Sequence, residues 1–168
     1  PVMTRTLVIG AGMAGIACAR ALQHAGQPVR VIDNGRGIGG RMATRRAETP
    51  AGQPLRFDHG AQYVTARDPA FAALLEGSQA AALWSDGAAH PHHVGLPGMS
   101  GLPRALADGL DVSLGVTATA LGRAGPLWQV ATDATVIEAE RVVLTVPAPQ
   151  VGALIGADHP LARRLEDV

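Results

Sequence analysis

Two groups of residues have the types and spacing to do chemistry, and the first lies close to the start of the chain. Gly10-Ala11-Gly12-Met13-Ala14-Gly15 is a G-x-G-x-x-G run. It follows the apolar stretch Leu7-Val8-Ile9 and precedes a helical pattern. In that setting Gly10 permits a tight turn out of a strand, Gly12 leaves room for a pyrophosphate, and Gly15 lets helix and strand approach closely. The backbone N–H groups around Ala11, Met13 and Ala14 and the partial positive charge of the helix N-terminus would face the phosphates. Asp33 closes the next apolar run, Val29-Arg30-Val31-Ile32, where an acid accepts hydrogen bonds from an adenosine ribose. The same acid repels a 2′-phosphate, so an NADP-type ligand is not expected here. The ligand class is an adenine dinucleotide. The glycine run by itself leaves NAD and FAD both open.

The second group is Gly39-Gly40-Arg41-Met42-Ala43-Thr44. It lies just past the second strand, where the chain can fold back over a pyrophosphate. Its two glycines allow close approach, and Arg41 offers a planar fork of donors for phosphate oxygens. Arg45 and Arg46 read as solvated surface charges. This segment has a use in an FAD site and none in an NAD-dependent dehydrogenase, so it favours FAD.

Taken together, the glycine run, Gly39-Gly40-Arg41-Met42 and Phe57-Asp58-His59-Gly60-Ala61-Gln62-Tyr63 resemble the renalase-type branch of the flavin-dependent amine oxidase superfamily. Thr65-Ala66-Arg67-Asp68-Pro69, Val94-Gly95-Leu96-Pro97-Gly98-Met99-Ser100 and Val146-Pro147-Ala148-Pro149 extend the resemblance over nearly the whole chain. It implies that Gly10, Gly12, Gly15, Asp33 and Arg41 hold the adenosine and pyrophosphate of FAD. It implies that Met42, Gly60, Ala61 and Gln62 lie near the flavin ring, with Gly40 in the approaching loop and His59 behind that wall. Ala118 matches a position whose backbone contacts adenine in related flavoproteins. The implied reaction is oxidation of a small molecule, an isomeric dihydronicotinamide dinucleotide or an amine, by hydride transfer to flavin with reoxidation by O2. Hydride transfer depends on position and orientation more than on a strong base, so no catalytic residue is assigned.

Other candidates are weaker. His90, His92 and His93 cluster around Pro91, but their spacing and the lack of nearby ligands other than Asp86 do not match a zinc site. The family tends to carry an Arg-Tyr pair where His92-His93 stands. Cys18 reads as a core thiol. No metal is expected.

The elements that must position these residues follow from periodicity. Strands are expected at Leu7–Ile9 and Val29–Asp33, around a helix from Met13 to Ala25 whose Ala14, Ala17, Cys18, Ala21 and Ala25 form a small-residue buried face. Short extended pieces are expected between Leu55 and Thr65. Asp68 reads as an N-cap with Pro69 at the first helical position, ahead of Phe71–Leu75. Ala88 to Gly101 reads as loop, and Ser100 as the cap of a helix from Gly101 to Gly109. Strands are expected at Val112–Leu114, Ala118–Leu121, Leu127–Ala131, Val136–Glu138 and Val142–Val146, the middle three forming a meander. Val151–Ile155 and Leu161–Leu165 read as helical. The fold class is α/β: a Rossmann-like FAD-binding domain with a parallel sheet and an inserted antiparallel three-stranded meander.

Composition agrees with that class. The 168 residues are 47% hydrophobic and 17% charged, which excludes a disordered chain. Lys+Arg and Asp+Glu are each 14, so there is no basic footprint for nucleic acid. No apolar run is long enough to suggest a membrane span. A single cysteine suits a cytoplasmic setting. Residues 1–168 are expected to form one incomplete FAD/NAD(P)-binding domain. Residues 67–100 would lead toward the substrate side, with the remaining substrate domain and the last FAD segment absent. Two alternatives stay open: a non-catalytic dinucleotide-binding or interaction module, and a truncated inactive fragment. Oligomeric state is not encoded in any of these features.

Overall fold

The computed structural model describes residues 2–85, 87 and 91–165. In chain order its elements begin with β1 (Val2–Ile9), α1 (Met13–His24), β2 (Val29–Asp33), a 3-10 turn (Gly40–Met42), β3 (Thr44–Glu48), β4 (Pro54–Asp58), β5 (Val64–Thr65) and α2 (Pro69–Gly77). They continue with β6 (Ala81–Trp84), β7 (His92–Gly95), α3 (Gly101–Leu106), β8 (Asp111–Leu114), β9 (Ala118–Ala124), β10 (Leu127–Thr132), β11 (Val136–Leu144), α4 (Ala148–Ile155) and a 3-10 turn (Arg163–Leu165). The chain divides into two compact units, one formed by residues 1–36 and 109–168, the other by 37–108.

The first unit is built on a six-stranded sheet in the order β8-β2-β1-β11-β10-β9. β8, β2, β1 and β11 run parallel, and β10 and β9 continue antiparallel. Leu7, Val8, Val31 and Ile32 are fully buried, as parallel strands covered on both faces require. One face carries the cluster of Leu7, Ile9, Ile32, Val130, Ile137 and Ala139. The chain leaves β1 for β2 on one side, while β11 lies on the other. Where strand order diverges in this way, the carboxyl ends of the strands leave a crevice for a ligand.

Several expectations need correction in this unit. Ala14, Ala17, Ala21 and Ala25 are exposed and Cys18 is half-buried, whereas α1 buries Gly15, Ile16 and Ala19. The physical reason is Gly15. It must face the end of β1, and with a turn of about 100° per residue that fixes the rotation of the helix so that the alanine face points away from the sheet. The stretch Val136–Glu138 and the first part of Val142–Val146 are one strand, β11, which ends at Leu144, because Val2–Ile9 pairs with it in parallel along most of its length. The meander is therefore continuous with the parallel sheet. The expected helix at Leu161–Leu165 is a single 3-10 turn, and α4 begins earlier than expected, just after Pro147.

The second unit contains the β3–β4 hairpin and a three-stranded sheet in the order β5-β7-β6. Met42, Leu75, Met99, Leu102, Pro103 and Leu106 are among its buried side chains. Asp68 caps α2 as expected, accepting from the Phe71 N–H at 2.9 Å. The stretch Ala88–Gly101 is not all loop: it contains β7, which pairs with β5 and β6. Ser100 does not cap α3 through its side chain. It is buried, and its N–H donates to Thr44 Oγ1 at 3.1 Å.

Candidate cofactor-binding site

In the first unit the chain turns sharply at Gly10, where φ is +114°. A Cβ there would stand 2.5 Å from Thr145 Oγ1, so both the torsion and the space exclude a side chain. At Gly15 a Cβ would stand 1.9 Å from the Gly10 carbonyl oxygen. The first and third glycines thus meet, and α1 starts hard against the end of β1. Gly12 is the N-cap of α1, in extended conformation and without a side-chain cap. The N–H groups of Met13, Ala14 and Gly15 have no acceptor within the helix. They are the donors a phosphate would take.

Asp33 ties this turn to the end of β2. Its Oδ2 accepts from the Ala11 N–H at 2.7 Å, and its Oδ1 accepts from the Gly35 N–H at 2.6 Å. Each carboxylate oxygen keeps a further lone pair for a ribose hydroxyl. The chain also returns to this point from β8: the Val116 N–H donates to the Asp33 carbonyl at 3.0 Å and the Gly115 N–H to the Gly35 carbonyl at 3.0 Å. Ala118 lies two residues further on, opposite Thr132 at a bulge, and packs against the apolar cluster. The backbone that reaches the end of β2 is therefore that of Gly115 and Val116. Thr145 was not identified from sequence. Its N–H donates to the Ile9 carbonyl at 2.9 Å, and its hydroxyl lies 3.0 Å and 3.1 Å from the Ile9 and Gly10 carbonyls.

In the second unit, two stretches separated in sequence are brought together. Gly39, at φ +146°, leads into the 3-10 turn of Gly40, Arg41 and Met42. The Ala61 N–H donates to the Arg41 carbonyl at 2.8 Å. A Cβ at Gly60 would stand 2.0 Å from that same carbonyl oxygen. Gly60 is thus required for the contact between the arginine turn and the Gly60-Ala61-Gln62 segment. Arg41, His59, Gly60 and Gln62 are exposed, Ala61 is half-buried and Met42 is buried.

Behind these segments lies a polar knot that the sequence did not reveal. Asp58 Oδ1 accepts from the Thr44 hydroxyl at 2.6 Å and from the Met99 N–H at 3.0 Å. Thr44 Oγ1 in turn accepts from the Ser100 N–H. Gly98 gives the turn room, since a Cβ there would meet Thr44 at 2.8 Å. Thr44 and Asp58 are a facing pair at one end of the β3–β4 hairpin, so the knot fixes both chains that lead to the Arg41 and Gly60 segments. Asp58→Ala is expected to cost about 2–3 kcal/mol, because it leaves a hydroxyl and a backbone N–H without their acceptor. Asp58→Asn, which keeps an acceptor oxygen, is expected to cost about 1 kcal/mol. The shift in the urea midpoint measures both.

Among the described residues no group of three or more His, Cys, Asp or Glu could hold a metal ion. His90 and Asp86 lie outside the described residues. His92 stacks on Tyr63 with ring centroids 4.1 Å apart, and His93 is buried, so neighbouring positions on β7 have separate environments. No helix among the described residues is long and apolar enough to cross a membrane.

Residues 8–77 match the NAD(P)-binding Rossmann-like domain family, and residues 64–166 match the flavin containing amine oxidoreductase family. Mouse (Mus musculus) renalase is 31% identical over 92% of this chain, and the chain spans about half the length of that relative, 50%. Among solved structures, wild-type putrescine oxidase bound to putrescine is similar with a TM-score of 0.71 and 16% identity, over 98% of this chain and 62% of that one. A double mutant of putrescine oxidase gives a TM-score of 0.72 at 16% identity, over 99% of this chain and 63% of that one. At these identities the likeness is one of fold. The α/β architecture, the glycine turn and the family matches converge: the chain belongs to the flavin containing amine oxidoreductase family.

Proposed function

We propose that this chain is the FAD-binding part of a flavin-dependent oxidoreductase of renalase type. The observation that carries the proposal is the shaped turn at Gly10–Gly15, where two glycines meet and α1 begins uncapped, with the Asp33 carboxylate beside it. Those residues fit an adenine dinucleotide: N–H donors for the pyrophosphate and an acceptor for the ribose. Gly10, Ala11, Gly12, Met13, Ala14 and Gly15 would line the pyrophosphate. Asp33 would hold the ribose, and the backbone of Val116 would border the adenine. Arg41 would supply charged donors to phosphate oxygens. Gly40, Met42, Gly60, Ala61 and Gln62 would form the wall toward the flavin ring.

Bound FAD supplies hydride acceptance from a small substrate, with reoxidation by O2 to hydrogen peroxide. The chain's own task is to bind, orient and shield, which is what a hydride transfer asks of its protein. The substrate class is an isomeric dihydronicotinamide dinucleotide, with amines as the second choice. Residues 1–168 act in this reading as one FAD/NAD(P)-binding domain whose 67–100 segment leads toward the substrate. A cytoplasmic setting follows the reading of a single reduced cysteine.

Retention of flavin tests the proposal. The chain expressed with FAD and desalted is expected to keep a yellow flavin absorbance, and calorimetry is expected to rank FAD above NAD and ADP-ribose. Equal affinity for all three would instead indicate a nucleotide-binding module with no place for a flavin ring.

A further inference from the structure

The carbonyl and the N–H of a trans peptide point in opposite directions. At the Gly10–Ala11 peptide both ends are held. The Gly10 carbonyl abuts Gly15 and shares the single Thr145 hydroxyl proton, at 3.1 Å, with the Ile9 carbonyl at 3.0 Å, while the Ala11 N–H donates to Asp33 Oδ2 at 2.7 Å. Thr145 is itself fixed, because its N–H extends the β1–β11 pairing one residue past Leu144 by donating to the Ile9 carbonyl. A residue 135 positions downstream thus grips the turn from one side and Asp33 grips it from the other.

We propose that Thr145 is a positioning residue for the dinucleotide: its hydroxyl, acting with the Asp33 carboxylate across one peptide plane, sets the phosphate-binding turn before ligand arrives. The proposal rests on the reading of this turn as a dinucleotide site. Gly10 has the widest backbone freedom of any residue, and ordering it costs entropy. A turn already ordered does not incur that cost at the moment of binding, which raises affinity. Bulk alone at position 145 does not achieve this, since valine has nearly the same shape but no donor for the Ile9 and Gly10 carbonyls.

The full chain is compared with its Thr145→Val, Thr145→Ser, Asp33→Asn and Thr145→Val/Asp33→Asn variants. Each is titrated with ADP and with FAD, and exchange of the Ala11 amide is followed by NMR without ligand. Thr145→Val is expected to weaken ADP binding about tenfold, the scale of one hydrogen bond, and to speed Ala11 exchange. Thr145→Ser is expected to restore affinity to within about twofold of the parent. The double variant is expected to lose less than the product of the single losses, because both act on one peptide. Should Thr145→Val not fold, Thr145→Cys, a weaker donor of similar size, makes the same comparison. Unchanged ADP affinity and Ala11 exchange in the valine or cysteine variant, beside a parent that binds, overturns the proposal. So does failure of serine to restore binding. A parent that binds neither ADP nor FAD overturns the functional reading instead, and Ala11 exchange still decides the clamp.

Discussion

Gly15→Ala is expected to abolish dinucleotide binding and to lower stability by about 3 kcal/mol or more, the upper range for overpacking a close-packed contact. The added Cβ would stand 1.9 Å from the Gly10 carbonyl oxygen and 2.7 Å from Thr145 Oγ1. The first of these neighbours is backbone, in a turn held by hydrogen bonds at both ends, so no side chain can swing aside to relieve it. α1 must move away from β1. That movement withdraws the N–H groups of its first turn from the phosphates and loosens Ile16 and Ala19 from the sheet. For a chain of this size the cost corresponds to a fall of about 6–12 °C in melting temperature. Circular-dichroism melting and ADP titration measure the two effects together. A variant that melts and binds like the parent would remove the contact of the first and third glycines from the account of the site.

Gly60→Ala is the counterpart in the second unit, and its expected signature differs. The Cβ would lie 2.0 Å from the Arg41 carbonyl oxygen and 2.9 Å from the Arg41 carbonyl carbon. The contact in which the Ala61 N–H meets that carbonyl must open. The arginine turn and the Gly60-Ala61-Gln62 segment then separate, although the Thr44–Asp58 knot behind them can persist. The stability loss is expected to be smaller, about 1–3 kcal/mol, because Gly60 is exposed and its loop can yield. The functional loss is expected to be selective. FAD affinity should fall about tenfold or more, one hydrogen-bonded contact and its neighbours, while ADP affinity falls less. ADP carries the adenosine and phosphates but no flavin. Equal losses for both ligands would show that this segment serves the phosphates and not the ring.

These two variants also mark what could be read directly from the chain. The conformations of Gly10, Gly12 and Gly15, the acid at Asp33 and the Asp68 cap were legible because each is a local event, coded by residue type within a few positions. The Gly39–Met42 and Gly60–Gln62 segments were legible as motifs, but not the carbonyl of Arg41 as the atom that joins them. The alternation of apolar strands around one helix determined the fold class for the same local reason.

The glycine run with which the chain declares itself was therefore determined by sequence as a turn and as a ligand class. Only the tertiary structure decided how it is held. Thr145 and the Asp58 knot join residues 136 and 41 positions apart, and no periodicity marks such pairs. The buried face of α1 was settled by the close approach of Gly15, against the pattern of its alanines. β11 became one strand because β1 pairs along it, and β7 emerged from a His- and Pro-rich stretch because β5 and β6 supply its hydrogen bonds. Local chemistry sets which backbone shapes are available, and long-range pairing chooses among them.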